Sequence, residues 1–133
     1  MKNLAFTPLL CTILFLVACG ANTESDTQKS TDGKVSIEQF KAKLATVPSP
    51  QLIDVRTPEE FSGGTLDGAV NMNFKSADLE SQLNTLDKSK PVFIFCQAGG
   101  RSGKCYKKMK DMGFSEVYDM QGGYGSWKNE KRN

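Results

Sequence analysis

The sequence predicts one α/β domain with a central parallel sheet and helices on both faces of that sheet. Short apolar segments rich in β-branched and aromatic residues alternate along the chain with segments whose apolar residues recur at helical spacing. This alternation is typical of parallel sheets, because each parallel connection needs a crossover. Polar residues at 54–56 and 96–101 follow two of the predicted strands, and we expect them at the sheet edge where α/β folds bind ligands.

Two capping boxes mark the starts of helices. In each, the N-cap hydroxyl and the side chain three residues later satisfy free backbone N–H groups reciprocally. Ser36 with Gln39 predicts the first helix, and Thr57 with Glu60 predicts the second, with Pro58 at the favoured first helical position. Three further helices are predicted, with starts at Ser76, at about Ser102 and at Tyr124.

Four short segments are predicted strands. They cover residues 52–55, 69–72, 92–95 and 116–119. The third of these, Val-Phe-Ile-Phe, is the most apolar, and it leads directly into Cys96. We therefore expect Cys96 to follow a buried strand at the carboxyl edge of the sheet.

Residues 1–18 resemble a bacterial lipoprotein signal peptide. Lys2 provides a positive start, and the apolar segment 9–17 is shorter than the roughly 20 residues that a membrane span needs. Residues 16–19, Leu-Val-Ala-Cys, resemble a lipobox, so cleavage is expected before Cys19 and lipidation on its thiol. A plain signal peptide with small residues at its cleavage site is the alternative. The resemblance implies export and a lipid anchor in a bacterial membrane, on the periplasmic face in a Gram-negative host.

The remainder divides into a tether and a domain. Residues 19–33 are predicted to be the lipidated Cys19 and a disordered tether, because they contain no large apolar side chain to repay the entropy of ordering. Residues 34–133 are enough for one compact core, and we expect a monomer without a second domain.

Composition excludes several classes of function. The chain has 17 basic and 15 acidic residues, a net charge of +2 and no basic block, so no nucleic-acid partner is expected. It has no histidine, which excludes Ser-His and Cys-His catalysis and argues against a zinc site. We expect a reaction that needs neither a metal nor another cofactor.

Cys96 is the predicted nucleophile. It precedes a helix whose first backbone N–H groups and positive dipole end favour the thiolate. Gly99 and Gly100 allow the chain to wrap closely around the sulfur, and Arg101 adds a permanent charge with a forked donor for an oxyanion. The alternative, a buried core cysteine, does not explain why two glycines and an arginine follow.

Four linked motifs resemble the rhodanese domain, a family of thiosulfate sulfurtransferases. They are residues 52–61, residues 68–71, the loop that begins at Cys96, and residues 122–127. The resemblance implies that Cys96 accepts a sulfane sulfur from thiosulfate or a related donor as a persulfide, and then passes it to cyanide or a thiol. The residues expected to bind this small sulfur-containing anion are Arg101, Gln97, Ala98, Gly99, Gly100 and Arg56.

Three positions within the resemblance leave alternatives open. Arg56 matches the arginine of the family's Asp-Val-Arg motif, and either binds substrate or pairs with an acidic neighbour. Thr65 stands where the family commonly has a histidine of structural role. Cys105 shares a predicted helix face with Met109 and Met112, which favours a core side chain over a second, redox-active thiol.

Two rival functions use a similar loop. Tyrosine-phosphatase-like and arsenate-reductase-like sites also combine Cys, backbone N–H groups and Arg, but they place five residues between Cys and Arg. Here only four residues separate Cys96 from Arg101, so the loop encloses a smaller space. A non-catalytic sulfur-binding or partner-recognition module is the other alternative, and the presence of Cys96 argues against it.

The lipoprotein interpretation predicts covalent attachment of fatty acid to Cys19. A palmitate analogue supplied to cells that express the full chain is expected to label the protein, and Cys19→Ala is expected to abolish the label because the acceptor thiol is lost. Gel fluorescence of the purified protein measures the incorporation. Absence of label from the wild-type chain would contradict the interpretation.

Overall fold

The computed structural model describes residues 32–132 and contains five strands and five helices. In chain order they are β1 (Gly33–Val35), α1 (Ile37–Thr46), β2 (Gln51–Asp54), α2 (Pro58–Ser62), β3 (Val70–Asn71), α3 (Leu79–Leu83), β4 (Val92–Phe95), α4 (Gly100–Asp111), β5 (Val117–Met120) and α5 (Gly123–Glu130). The predicted signal peptide, Cys19 and the tether as far as residue 31 lie outside the described residues.

The strands form one parallel sheet in the order β1-β5-β4-β2-β3. All four residues of β4 are buried, which agrees with its wholly apolar sequence. The register pairs Phe95 with Asp54 on one side and Ile94 with Asp119 on the other. Strands β2, β4 and β5 therefore end next to one another at a single edge of the sheet.

The core lies on both faces of this sheet. Phe93 and Phe95 point to the face covered by α1 and α5, whereas Val92 and Ile94 point to the face covered by α3 and α4. Phe93 packs edge-on against Phe40 of α1, with ring centroids 5.4 Å apart. Burial of a side chain of this size contributes about 1.5–3 kcal/mol. The predicted α/β class, with a parallel sheet between helices, is confirmed.

Both capping boxes are present as predicted. The Gln39 N–H donates to Ser36 Oγ over 3.2 Å, and the Ser36 N–H donates to Gln39 Oε1 over 3.1 Å. At α2 the equivalent distances between Thr57 and Glu60 are 3.3 and 3.0 Å. These local bonds fix the directions in which α1 and α2 leave the sheet edge.

The start of the third helix was predicted wrongly. The helix begins at Leu79, and its N-cap residue is Asp78 rather than Ser76. The Asp78 side chain makes no capping hydrogen bond. Ser76 Oγ accepts the Asp78 N–H over 3.2 Å, and its carbonyl accepts the Leu79 N–H. Ser76 thus forms a hydroxyl-stabilised turn before the helix, an alternative that serine shares with N-capping.

Strand β1 was not predicted, and it corrects the tether boundary. Gly33 begins β1, which pairs in parallel with β5. Asp32 precedes it, accepting the Val117 N–H over 2.8 Å and pairing with Lys110. The last two residues of the predicted tether therefore belong to the fold. A strand of three residues has no periodicity of its own and exists because β5 offers it an edge.

The helices of residues 32–132 are all too short or too polar to span a bilayer. The lipid anchor at Cys19 remains a prediction from the sequence.

Candidate active site

Three neighbouring strand ends supply the candidate site. Arg56 follows β2, Cys96 follows β4, and the glycine pair Gly122 and Gly123 follows β5. The first two were expected there from the sequence. The contribution of β5 was not expected, because the sequence presented residues 122–127 only as one motif of the resemblance.

The loop after β4 wraps its backbone around the Cys96 sulfur. Gly99 has φ +99°, a left-handed conformation that favours glycine, and α4 begins at the next residue, earlier than the predicted start near Ser102. This bend brings the Gly99 N–H to 3.0 Å from Cys96 Sγ. The Ser102 hydroxyl donates to the same sulfur over 3.5 Å. Ser102 was not among the predicted site residues.

Hydrogen bonds around the sulfur lower the pKa of Cys96 despite its burial. Burial raises the pKa of the Cys96 thiol, but hydrogen bonds from the Ser102 hydroxyl and from the N–H groups of Ser102, Ala98 and Gly99 outweigh it. The net pKa lies below the ordinary value for cysteine. Because the thiolate is the nucleophilic form of cysteine, a lowered pKa makes Cys96 more reactive toward an electrophile than an ordinary thiol.

Helix α5 holds the loop from behind. The Tyr124 N–H donates to the Cys96 carbonyl over 2.8 Å, and the Gly125 N–H donates to the Gln97 carbonyl over 3.0 Å. Both donors belong to the first turn of α5, where backbone N–H groups lack partners within the helix. Gly123 makes this approach possible: it has φ +61°, and a Cβ there would lie 2.3 Å from the Cys96 oxygen.

Arg101 is held in place by Glu60. Its Nη1 lies 2.6 Å from Glu60 Oε2, and its Nη2 lies 2.8 Å from Glu60 Oε1, a two-pronged ion pair. The hydrogen bond from Arg101 is the main reason that the pKa of Glu60 falls to about 2. Glu60 also caps α2, which is the only role that the sequence revealed. A Cys96 thiolate adds a further, smaller contribution that raises the pKa of Arg101.

Arg56 is buried against the loop and does not face the solvent. The side chain is 2% exposed and donates to both carboxylate oxygens of Asp54 and to the Gly64 carbonyl. Its Nη1 donates to Gln97 Oε1 over 3.3 Å, and its guanidinium lies over the Tyr124 ring at 4.2 Å. This geometry favours the structural alternative, because Asp54 already neutralises the charge of Arg56.

Asp54 accepts a further hydrogen bond from Thr65, the position at which the rhodanese family commonly has a histidine. Thr65 Oγ1 donates to Asp54 Oδ2 over 2.8 Å. The Asn71 amide donates to the carbonyls of Asp54 and Arg56, over 3.0 and 2.9 Å. Thr65 thus contributes to the polar network that fixes the end of β2. Although position 65 is not a histidine, its side chain still hydrogen-bonds Asp54 Oδ2.

The other predicted loop residues differ in exposure. Gln97, Ala98 and Gly100 are exposed, whereas Gly99 is buried and Cys96 is 1% exposed. The sulfur therefore lies at the base of the loop, under residues that solvent reaches.

Cys105 is a core side chain. It is fully buried in the cluster that contains Met109, while Met112 packs partly buried against that cluster. Burial, reinforced by Asp119, raises the pKa of the Cys105 thiol to about 12. A thiol with this pKa stays protonated at neutral pH, which makes it a poor attacking group for a disulfide.

Comparisons with known proteins identify the family of this chain. The family model for the rhodanese-like domain matches residues 36–130. The chain is 39% identical over 90 residues to the uncharacterized protein YqhL of Bacillus subtilis, covering 68% of each protein. It is 38% identical over 85 residues to the chloroplastic thiosulfate sulfurtransferase 16 of Arabidopsis thaliana, covering 56% of this chain and 71% of that protein.

A solved structure has a similar fold. The human single-domain sulfurtransferase TSTD1 superposes with a TM-score of 0.65 at 25% identity, over 73% of this chain and 96% of that one.

The contact between α5 and the loop predicts that Gly123→Ala damages the site. The new Cβ is expected to displace the Cys96 carbonyl. The N–H groups of the Cys96 loop then no longer point at the sulfur, and the pKa of Cys96 is expected to rise. The pH dependence of Cys96 alkylation, followed by mass, measures this change. The control is Gly63→Ala, where φ is −73° and a Cβ meets neighbours only at ordinary contact distance. Equal pKa values for Cys96 in the two variants would contradict the assigned role.

Proposed function

The chain belongs to the rhodanese-like domain family, and from that membership we propose that it transfers sulfane sulfur through a persulfide on Cys96. Family membership and the relatives named as sulfurtransferases support sulfur transfer in general. Thiosulfate as donor, and cyanide or a thiol as acceptor, are the specific substrates that we propose. The observation that carries the proposal is the buried Cys96 sulfur with the Gly99 N–H at 3.0 Å and the Ser102 hydroxyl at 3.5 Å.

In the first half-reaction the Cys96 thiolate attacks the outer sulfur of thiosulfate. A bond forms between Sγ and that sulfur, and the bond from the outer sulfur to the sulfonate sulfur breaks. Sulfite leaves with the bonding electron pair, and Cys96 retains the outer sulfur as a persulfide. No general base is needed once the thiolate is present, which suits a chain without histidine.

In the second half-reaction an acceptor removes the outer sulfur. Cyanide or a thiolate attacks it, and the Cys96 thiolate leaves with the electron pair of the sulfur–sulfur bond. The donors that lower the pKa of Cys96 also make it a better leaving group, because they stabilise the same anion. One set of hydrogen bonds thus serves both half-reactions.

Arg101 is the proposed contact for the sulfonate group of the donor. It is the partly exposed arginine of the loop, with 23% of its side chain accessible, and Glu60 fixes the plane of its guanidinium. The guanidinium has five N–H donors, and those not bonded to Glu60 are the proposed donors to the anion. The exposed residues Gln97, Ala98 and Gly100 are proposed to line its path.

The loop geometry weighs against the two rival functions. A phosphatase must enclose a tetrahedral phosphate, whereas four residues between Cys96 and Arg101 form a tight turn around one sulfur. A non-catalytic module has no need to lower the pKa of its cysteine, and Cys96 has a lowered pKa. We therefore rank sulfur transfer above both.

The site of action is a separate proposal that rests on the sequence. If Cys19 carries lipid, the domain works at the surface of a bacterial membrane, attached through the segment that precedes Asp32. Acceptors in that compartment would then be small molecules or exposed thiols outside the cytoplasm. The Cys19 labelling experiment tests this part independently of the sulfur chemistry.

The proposal predicts release of sulfite from thiosulfate in the presence of cyanide. Cys96→Ser is expected to abolish it, because a serine hydroxyl is not ionised at neutral pH. Arg101→Ala removes a charged hydrogen bond worth about 1.5–3 kcal/mol, so the rate is expected to fall roughly ten- to hundredfold, and Arg101→Lys to recover part of it. Colorimetric assay of thiocyanate and sulfite measures these rates.

Two controls accompany this assay. Cys105→Ala is expected to keep the rate within a few-fold of wild type and to lower stability only, since Cys105 is a core side chain. Aryl phosphate hydrolysis by the wild type is expected to be negligible. A phosphatase rate equal to the sulfurtransferase rate, or loss of turnover in a folded Cys105→Ala variant, would contradict the proposal.

A further inference from the structure

Glu60 places a negative charge on the arginine that is the proposed contact for the donor anion. Both terminal nitrogens of Arg101 are engaged, Nη1 with Glu60 Oε2 over 2.6 Å and Nη2 with Glu60 Oε1 over 2.8 Å. A guanidinium that served only anions from solvent would present this fork to them, because the fork matches two oxygens of a sulfonate. Here a carboxylate of the chain itself occupies it.

Helix α2 holds the Glu60 carboxylate at the place where it meets Arg101. Glu60 is the third residue of α2, and its Oε2 accepts the Thr57 N–H over 3.0 Å in addition to the bond from Arg101. The Glu60 N–H donates in turn to Thr57 Oγ1 over 3.3 Å. Because the capping box fixes the backbone and the side chain of Glu60 together, we expect the carboxylate to stay beside Arg101 when an anion arrives.

The fixed charges around the Cys96 loop therefore come in two pairs. Asp54 neutralises Arg56, and Glu60 neutralises Arg101. An ionised Cys96 then adds one negative charge to side chains that otherwise balance. The second charge of a dianion is consequently less well compensated here than it would be beside an unpaired arginine.

Lys104 is a further cation of α4, one turn beyond Arg101. Its side chain is exposed, so solvent and salt screen its charge. Glu60 and Arg101 are partly buried, with 32% and 23% of their side chains accessible, so their charges are screened less. The pKa of Glu60 is about 2, which keeps it ionised at neutral pH. We therefore expect Glu60 to influence an anion at Arg101 more than Lys104 does.

We propose that Glu60 is a positioning residue that sets the charge preference of the site, because it keeps Arg101 neutralised and so favours singly charged sulfane sulfur donors over doubly charged ones. A thiosulfonate is a donor of the singly charged class, whereas thiosulfate is a dianion. Thiosulfate remains a substrate, but a less favoured one than its chemistry alone would make it. The inference rests on the proposed function and narrows the class of its donor.

A thiosulfonate reacts with Cys96 in the same way as thiosulfate. The thiolate forms a bond to the outer sulfur, and the bond from that sulfur to the sulfonyl sulfur breaks. A sulfinate leaves with the bonding electron pair, and Cys96 keeps the outer sulfur as a persulfide anion. Thiosulfate brings two charges to the loop where a thiosulfonate brings one, so the electrostatic effect of Glu60 is about twice as large for thiosulfate.

The test compares wild type with Glu60→Gln on one donor of each charge, thiosulfate and benzenethiosulfonate, with cyanide as the acceptor. Glutamine serves in a capping box as glutamate does, so the variant removes the charge and keeps the helix start. We expect kcat/KM to rise about threefold for benzenethiosulfonate and about tenfold for thiosulfate, because electrostatic energy scales with the charge of the donor. The rate of thiocyanate formation measures both.

Glu59→Gln is the matched control. Glu59 precedes Glu60 in α2, is exposed, and carries the same charge. The control is expected to leave the ratio of kcat/KM for the two donors unchanged, because solvent screens an exposed carboxylate. An unchanged ratio in Glu60→Gln, whether both rates rise or fall, would show that Glu60 only orients Arg101 and would overturn the proposal. The same change of ratio in both variants would overturn it too.

A binding measurement makes the test independent of sulfur transfer. Sulfate and methanesulfonate are unreactive anions of double and single charge, and their protection of Cys96 from iodoacetamide gives their affinities. Glu60→Gln is expected to gain about threefold more affinity for sulfate than for methanesulfonate. Equal gains, or protection by neither anion, would overturn the proposal. If donors fail to transfer sulfur but these affinities change as expected, the proposed function fails and the role of Glu60 stands.

The wild-type chain decides the matter if Glu60→Gln does not fold. With Arg101 neutralised by Glu60, sulfate is expected to protect Cys96 no better than methanesulfonate does. Protection by sulfate at a concentration about tenfold lower than that of methanesulfonate would reveal a net positive site and would overturn the proposal.

Discussion

The site depends on the hydrogen bonds by which helix α5 holds two backbone carbonyl groups of the Cys96 loop. The first turn of α5 binds the carbonyls of Cys96 and Gln97, over 2.8 and 3.0 Å, and thereby fixes the opposite ends of those peptide units. The loop N–H groups are then free to face the sulfur, where they offset the cost of burying an anion. Gly123 is the point of closest approach between α5 and the loop. These bonds from α5 orient the Ala98 N–H, one of the donors to Cys96, whereas the Gly99 N–H and the Ser102 hydroxyl are placed by the turn at Gly99 and the start of α4.

Charge at the site is balanced in fixed pairs. Asp54 neutralises Arg56 beneath the loop, and Glu60 holds Arg101 beside it. A buried pair such as Asp54 with Arg56 adds little net stability but is costly to break, so it serves to hold one conformation. Arg101 is more exposed, with 23% of its side chain accessible, and it is the proposed contact for an anion that approaches from solvent. The sequence left open whether Arg56 binds substrate or pairs with an acidic neighbour, and the structure shows it paired with Asp54.

Most of the fold and part of the site could be predicted from the sequence. Capping boxes at Ser36 and Thr57, the apolar strand β4 and the cysteine loop all depend on local residue patterns, so they were predicted correctly. Strand β1 and the link from Glu60 to Arg101 depend on contacts between distant parts of the chain, which no local pattern encodes. Ser76 was misplaced because a serine hydroxyl stabilises a turn as readily as a helix start.

The central claim is that Cys96 carries sulfane sulfur covalently. Intact mass of the full chain after incubation with thiosulfate and removal of the excess tests it directly. The account predicts a gain of one sulfur atom, located on the peptide that contains Cys96 and lost again on addition of cyanide. An unchanged mass under conditions in which Cys96 still reacts with iodoacetamide would contradict it, because a competent thiolate would then have failed to accept sulfur.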